Sequence, residues 1–249
     1  MNFSIIITTS PTNSNPDLLM ISSVINSIKQ NIKTDYEKKI IISCDGTDLM
    51  NENYDNFIKN LEKKYCNDNN IQIIVNVKKG HLTGNIRNSI KYVDTKYILF
   101  VQHDLLICKE VDADKIIMDM ENNLNLKHVR LNKRDNIKAG WDNTKLFASE
   151  IIEENYNYIF TESWSDQNHF TTKQYYLENV LSNVEDGVFM EQVMNNICKG
   201  NHSRYGTYIF GKLNEERYIV HVDGADNRRG KLGEQCKKDR EFYLNKYKN

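Results

Sequence analysis

Gln102, His103 and Asp104 close an apolar run that begins at Tyr97. Tyr97 to Val101 is aromatic and β-branched, the composition of a buried strand. Ligands of open α/β sheets bind outside the carboxyl ends of such strands. A divalent cation takes hard oxygen donors, and transition metals also accept imidazole nitrogen. Asp104 and, late in the chain, His221 are donors of that kind, with Gln102 or His103 as helpers. A lone His in IVHVDG could equally be a hydrogen-bonded core residue. What favours a ligand is its company, an Asp223-Gly224 turn and then Arg228 and Arg229. Guanidinium groups grip phosphate oxygens bidentately. Neither G-x-x-x-x-G-K-S/T nor G-x-G-x-x-G occurs, so a bound phosphate would be held through a cation rather than a glycine cradle.

Other residues able to do chemistry stand at element ends. Thr8, Thr9 and Ser10 follow the first apolar run, and Asp45 follows KIIISC. Asp45 either meets a ligand or simply opens the Asp-Gly turn. Arg87 lies off the apolar face of a short helix, so it is either solvated or turned toward the same crevice. Four late acids, Asp166, Glu185, Asp186 and Glu191, compete to be a general base. Glu191 is placed first, in the opening turn of a helix between apolar neighbours. The alternative for it is a surface acid stabilised by the helix dipole. Trp141, in a polar loop, and Trp164, in WSDQNHF, are either packing residues or acceptor-side platforms.

The elements that must position these groups follow from periodicity. Strands are expected over Phe3 to Ile7, Lys39 to Cys44, Ile71 to Val77 and Tyr97 to Asp104. Helices alternate with them: one opening at Asn15-Pro16, one bearing Tyr54, Phe57 and Leu61, and, after a Gly80 to Gly84 loop, one bearing Ile86 and Ile90. That alternation predicts an α/β fold with a mainly parallel central sheet flanked by helices. Right-handed crossovers bring the strand exits to one edge. Beyond it, a helix is expected over Asp112 to Leu124 with Leu124 inward, and a strand over His128 to Leu131. Ile159 to Phe170 reads as irregular. Helices are expected over Thr172 to Leu181, Val188 to Cys198 and Gln235 to Tyr247, and strands over Tyr205 to Phe210 and Arg217 to Val222.

The order of these features resembles a GT-A glycosyltransferase of the family 2-like group. The resemblance covers nearly the whole chain and is strongest over residues 3–104 and 220–229. It implies that Thr8, Thr9, Ser10, Asp45, Arg87, Asn88 and Gln102 meet the nucleotide, together with Arg228 and Arg229. Asp104 and His221 would hold Mn²⁺ or Mg²⁺, and Glu191 in FMEQV would serve as base. The sequence departs from the family's D-x-D motif at Gln102, where an acid is usual. The implied reaction is inverting transfer from a nucleotide-sugar, expected to be a UDP-sugar, to a glycan or glycoprotein hydroxyl. A single domain, 1–249, would divide into a donor half, 1–108, and an acceptor half, 109–249. Two alternatives are a nucleotidyltransferase, which needs a basic Gly-rich loop where TTSPTNSN stands, and a carbohydrate-binding protein with a decayed donor site.

Bulk properties fit. A hydrophobic share of 39% and a charged share of 27% suit a globular chain of 249 residues. The net charge of −1 offers no basic field for nucleic acid. No apolar run reaches the length of a membrane span. The five scattered cysteines form no C-x-x-C pair, which predicts a reducing, cytoplasmic setting.

Overall fold

Phe3–Thr9 forms β1, and all seven of its residues are buried. Ile5 and Ile7 join one apolar cluster while Ile6 joins another on the opposite face, because successive strand side chains point to opposite sides. A central strand covered on both faces is the reason for the unbroken apolar run. The computed structural model describes residues 2–136, 146–153, 156–161, 163–223 and 231–248.

In chain order β1 is followed by α1 (Leu19–Asn31), β2 (Ile32–Lys33), β3 (Lys39–Cys44), α2 (Glu52–Tyr65), β4 (Ile71–Val75) and α3 (His81–Ser89). Then come β5 (Tyr97–Gln102), β6 (Leu105–Ile107), β7 (Val111–Asp112), α4 (Ala113–Asn122), β8 (His128–Arg130), β9 (Leu146–Glu153), β10 (Tyr156–Thr161) and β11 (His169–Thr172). The chain continues through α5 (Lys173–Tyr175), a widened helical turn at Tyr176–Val180, α6 (Met190–Cys198), α7 (His202–Tyr205), β12 (Thr207–Phe210), β13 (Ile219–His221) and α8 (Lys231–Lys246).

Among the described residues nine strands make one sheet in the order β4-β3-β1-β5-β11-β8-β12-β10-β9. The first four are mutually parallel, and β11 runs antiparallel to both β5 and β8. Thr8 stands level with Ser43 on one side and Gln102 on the other, so three strand exits coincide. A separate two-stranded ladder pairs β13 with β6, and His221 lies opposite Leu105. Among the described residues no helix is long and apolar enough to cross a membrane.

Several element boundaries differ from expectation. α1 opens at Leu19, not at Asn15-Pro16. The Asn15 side chain instead accepts from the Thr12 amide at 2.8 Å and closes a turn ahead of the helix. Gly80 to Gly84 is not a loop, since α3 begins at His81 and the Gly84 amide already bonds the Gly80 carbonyl at 2.9 Å. Gly84 suits a close approach there, because a Cβ would sit 3.2 Å from Asp186 Cγ. Leu124 is not inward but 80% exposed, just past the end of α4. The stretch expected to be irregular ends in two strands, β10 and β11, with only its middle outside the ladder. β9 was not anticipated at all.

Candidate active site at the strand exits

The carboxyl ends of β1 and β5 open on a cavity of about 240 Å³ whose wall includes Thr8, Ser10, His81, Gln102, Asp104 and Asp166. Asp104, in that wall, meets His221 because the β6–β13 ladder continues past His221, where the Val222 amide bonds the Asp104 carbonyl at 2.8 Å. His221 Nε2 lies 3.0 Å from Asp104 Oδ2, and its Nδ1 lies 3.4 Å from Asp223 Oδ1. Burial pushes the Asp104 carboxyl up, but the His221 hydrogen bond and the neighbouring imidazoles outweigh it, leaving Asp104 below its ordinary value. Burial likewise opposes charge on His221, and the Asp104 bond reverses the sign, raising it.

Asp104, His221 and Asp223 each offer one ligand atom within 4.8 Å of the others. Asp104 Oδ1 is buried and has no protein hydrogen-bond partner, an arrangement that rarely persists without a ligand or water. Two carboxylates and an imidazole form a donor set that suits a divalent cation of the Mn²⁺ type. Asp223 was read from sequence as part of a turn beside His221, not as a ligand. Its spacing of two from His221, which in an extended segment puts both on one side, was the available signal.

Asp166 stands in the same cavity, held by Gln102, whose Nε2 donates to the Asp166 carbonyl at 2.9 Å. Burial and then the nearby Glu191 carboxylate push the Asp166 carboxyl up to about 7. Glu191 itself accepts from Ser165 Oγ at 2.5 Å. The two acids expected to compete as base therefore act on each other.

Asp45 is only 2% exposed. Its Oδ1 accepts from the Gly46 amide at 3.0 Å and the Gly80 amide at 2.9 Å, and the His81 amide adds a further bond. Burial still raises its carboxyl above the ordinary value. Asp45 anchors the entry to α3, as the turn alternative expects. His81, the first residue of α3, takes a left-handed φ of 52°, a conformation costing a non-glycine residue about 1–3 kcal/mol.

Asn85 was not foreseen. Its Nδ2 donates to the Thr9 and Ser43 carbonyls, each at 3.0 Å, and its Oδ1 accepts from Asn76 Nδ2 at 2.8 Å and from Ser43 Oγ. One buried amide thus ties the ends of β1 and β3 to α3. Asn85→Ala is expected to destabilise the chain by about 1–3 kcal/mol, because buried carbonyls lose their donor. Urea unfolding measures this, and an unchanged midpoint would deny the tie its role.

Other expected site residues lie elsewhere. Arg87 is corrected: its Nε pairs with Asp186 Oδ1 at 2.8 Å, and its terminal nitrogens donate to the Leu181 and Val184 carbonyls at 3.1 and 2.7 Å. It clasps α3 to the segment before α6 rather than facing a nucleotide. Asp186, engaged in that clasp and half exposed, is likewise not presented as a base. Asn88 accepts from Lys91 Nζ at 3.1 Å on the outer side of α3. Trp164 is also corrected. It is 0% exposed and packs against His128 at 5.1 Å, so no ring face is open to a sugar. Trp141, Arg228 and Arg229 lie outside the described residues.

No protein-family model matches the chain, and no curated protein sequence matches it. Solved structures do match. S. aureus TarS aligns with a TM-score of 0.57 and 13% identity over 97% of this chain and 43% of that one. A 1–349 form of TarS in complex with UDP-GlcNAc aligns at 0.53 and 14%, covering 98% of this chain and 64% of that one. GalNAc-T7 with UDP, GalNAc and Mn²⁺ aligns at 0.58 and 6%, covering 84% and 42%. This chain has the GT-A fold of those glycosyltransferases. It spans less than two thirds of the length of each of these three chains.

Proposed function

We propose that the chain transfers a sugar from a nucleotide-sugar, with a UDP-sugar as donor, to a hydroxyl of a glycan or glycoprotein acceptor. The observation that carries this is that one strand-exit cavity is lined both by Asp104, a member of a cation-type donor set, and by Asp166, an acid raised to about 7. UDP-GlcNAc with TarS, and UDP with Mn²⁺ and GalNAc in GalNAc-T7, support that donor class. Residues 1–108 supply the donor side and 109–249 the acceptor side.

Asp104, His221 and Asp223 would hold the divalent cation, Mn²⁺ ahead of Mg²⁺ because one donor is nitrogen. Bound there, it supplies positive charge against the departing diphosphate. The protein's own residues do the rest. Thr8, Thr9 and Ser10 offer hydroxyl and backbone groups at the exit of β1. Gln102 orients the Asp166 loop. Asp166 accepts the proton of the acceptor hydroxyl as that oxygen attacks the anomeric carbon in line, which inverts the centre. Glu191 raises the basicity of Asp166 through its charge. This exchanges the roles first expected of the two acids.

Calorimetric titration with UDP, with and without Mn²⁺, tests the reading. Saturable binding strengthened by Mn²⁺ is expected, followed by slow hydrolysis of one nucleotide-sugar in a donor screen. Absence of any nucleotide binding would overturn it. Tight UDP binding without turnover of any donor would assign a non-catalytic binding protein instead.

A further inference from the structure

We propose that His81 is a donor-positioning residue whose imidazole N–H bonds an oxygen of the nucleoside diphosphate in the strand-exit cavity. The proposal rests on the nucleotide-sugar reading and adds to it a residue it does not use.

The first argument is backbone conformation. His81 sits at φ 52° directly after Gly80, where glycine would meet no steric penalty. The turn itself is made by main-chain groups. The Gly80 and His81 amides bond Asp45, and the Gly80 carbonyl accepts from the Gly84 amide at 2.9 Å and the Gly187 amide at 3.1 Å. A glycine at 81 would keep every one of those bonds with less strain. None of those bonds needs an imidazole, whose own tie to the fold is its charge interaction with Asp45, and strained residues cluster at ligand-binding positions.

The second argument is elimination among donors. A diphosphate needs N–H or O–H groups aimed at it. Among the described residues lining the cavity there is no lysine or arginine. The Asn85 amide is engaged with the Thr9 and Ser43 carbonyls. Gln102 Nε2 is engaged with the Asp166 carbonyl. The His103 ring is buried with Nδ1 3.1 Å from the Thr8 carbonyl. Arg87, the cation expected on this helix, is turned away into the Asp186 clasp. His81 is exposed and lines the cavity with Asp104. His103 Nε2 also lacks a partner but is buried, so among the described residues of that wall His81 is the exposed imidazole. The ring lies beside Gly187, where a Cβ would sit 3.8 Å from His81 Cδ2.

The experiment is His81→Gly, read by thermal melting and by titration with UDP plus Mn²⁺ and with uridine. A melting temperature equal to or above wild type is expected, together with a UDP affinity lower by about tenfold or more. Uridine affinity should be unchanged, because the lost contact is to the diphosphate. His81→Asn, which tolerates the same backbone region, is expected to bind UDP between the two. Unaltered UDP affinity in the glycine variant would overturn the proposal. So would an equal loss for UDP and uridine, which would signify a disturbed loop. A lowered melting temperature in both variants would show that the ring serves the fold and would overturn it too. Failure of wild-type protein to bind UDP would remove the donor reading itself, and this proposal with it.

Discussion

Asp166→Asn is expected to reduce sugar transfer by about 10²–10⁴-fold, the usual contribution of a positioned general base, while leaving UDP and Mn²⁺ affinity near wild type. The amide keeps the shape of the side chain and the Gln102 bond to the backbone but cannot take a proton. The wild-type rate should rise with pH through about 7, because burial and the neighbouring Glu191 hold Asp166 protonated below that point. Glu191→Gln tests the coupling. Removing the second carboxylate lowers the Asp166 value, so the rising limb of the pH–rate profile moves to lower pH and activity falls far less than in Asp166→Asn. The reverse pattern, an inactive Glu191→Gln beside an active Asp166→Asn, would return the base to Glu191. Stability supplies an independent reading. A carboxyl raised from 3.8 to about 7 binds its proton more tightly in the folded state. It therefore makes the fold progressively less stable as pH climbs through that window. Asp166→Asn should accordingly melt higher than wild type at pH 8 and gain least near pH 4. This is the trade of stability for activity that buried catalytic acids impose.

The donor half of the fold was legible because its strands are covered on both faces. Burial on both sides makes a strand continuously apolar, so β1, β3 and β5 stand out as FSIIITT, KIIISC and YILFVQ. Their exits, and hence Thr8, Gln102 and Asp104, followed from the chain's alternation of strand and helix. The second half was less legible for the opposite reason. β8 and β13, of three residues each, were expected as strands, but four-residue β11 was not, and all three owe their pairing to partners far away in sequence. No window of short period can show that. Arg87 illustrates a different limit. Its residue type and helix were identified, but its direction depends on carbonyls at Leu181 and Val184 that only tertiary structure brings near. Trp164 is similar. WSDQNHF carries no periodicity, yet the indole is enclosed by His128, His169 and the second core cluster. Asn85 and His81 escaped notice because asparagine and histidine have many uses, and a left-handed backbone leaves no mark on composition.

Asp104→Ala is expected to abolish the Mn²⁺-dependent part of UDP binding while leaving a folded protein that binds UDP weakly without metal. Three observations set the size of the effect. Asp104 Oδ1 is buried without a protein partner, so that oxygen contributes no bond to the fold. Asp104 Oδ2 makes the 3.0 Å contact with His221, and with it gone the imidazole keeps only the 3.4 Å approach to Asp223. Finally, one carboxylate of the three-residue donor set is removed outright. Loss of groups that merely orient metal ligands typically costs 10–100-fold in metal affinity, so loss of a ligand should cost more than about 100-fold. His221→Ala should weaken Mn²⁺ in the same direction and narrow the preference for Mn²⁺ over Mg²⁺, since the nitrogen donor is what separates the two ions. Gln102→Asp serves as the complementary gain. An acid restored beside Asp104 adds an anionic donor and should tighten Mn²⁺, provided the Asp166 loop survives the loss of its 2.9 Å amide bond. Tryptophan fluorescence or calorimetry with Mn²⁺ and UDP reads all three variants. If Asp104→Ala binds both as tightly as wild type, the cation lies elsewhere, and the pairing of β6 with β13 serves only to close the edge of the fold.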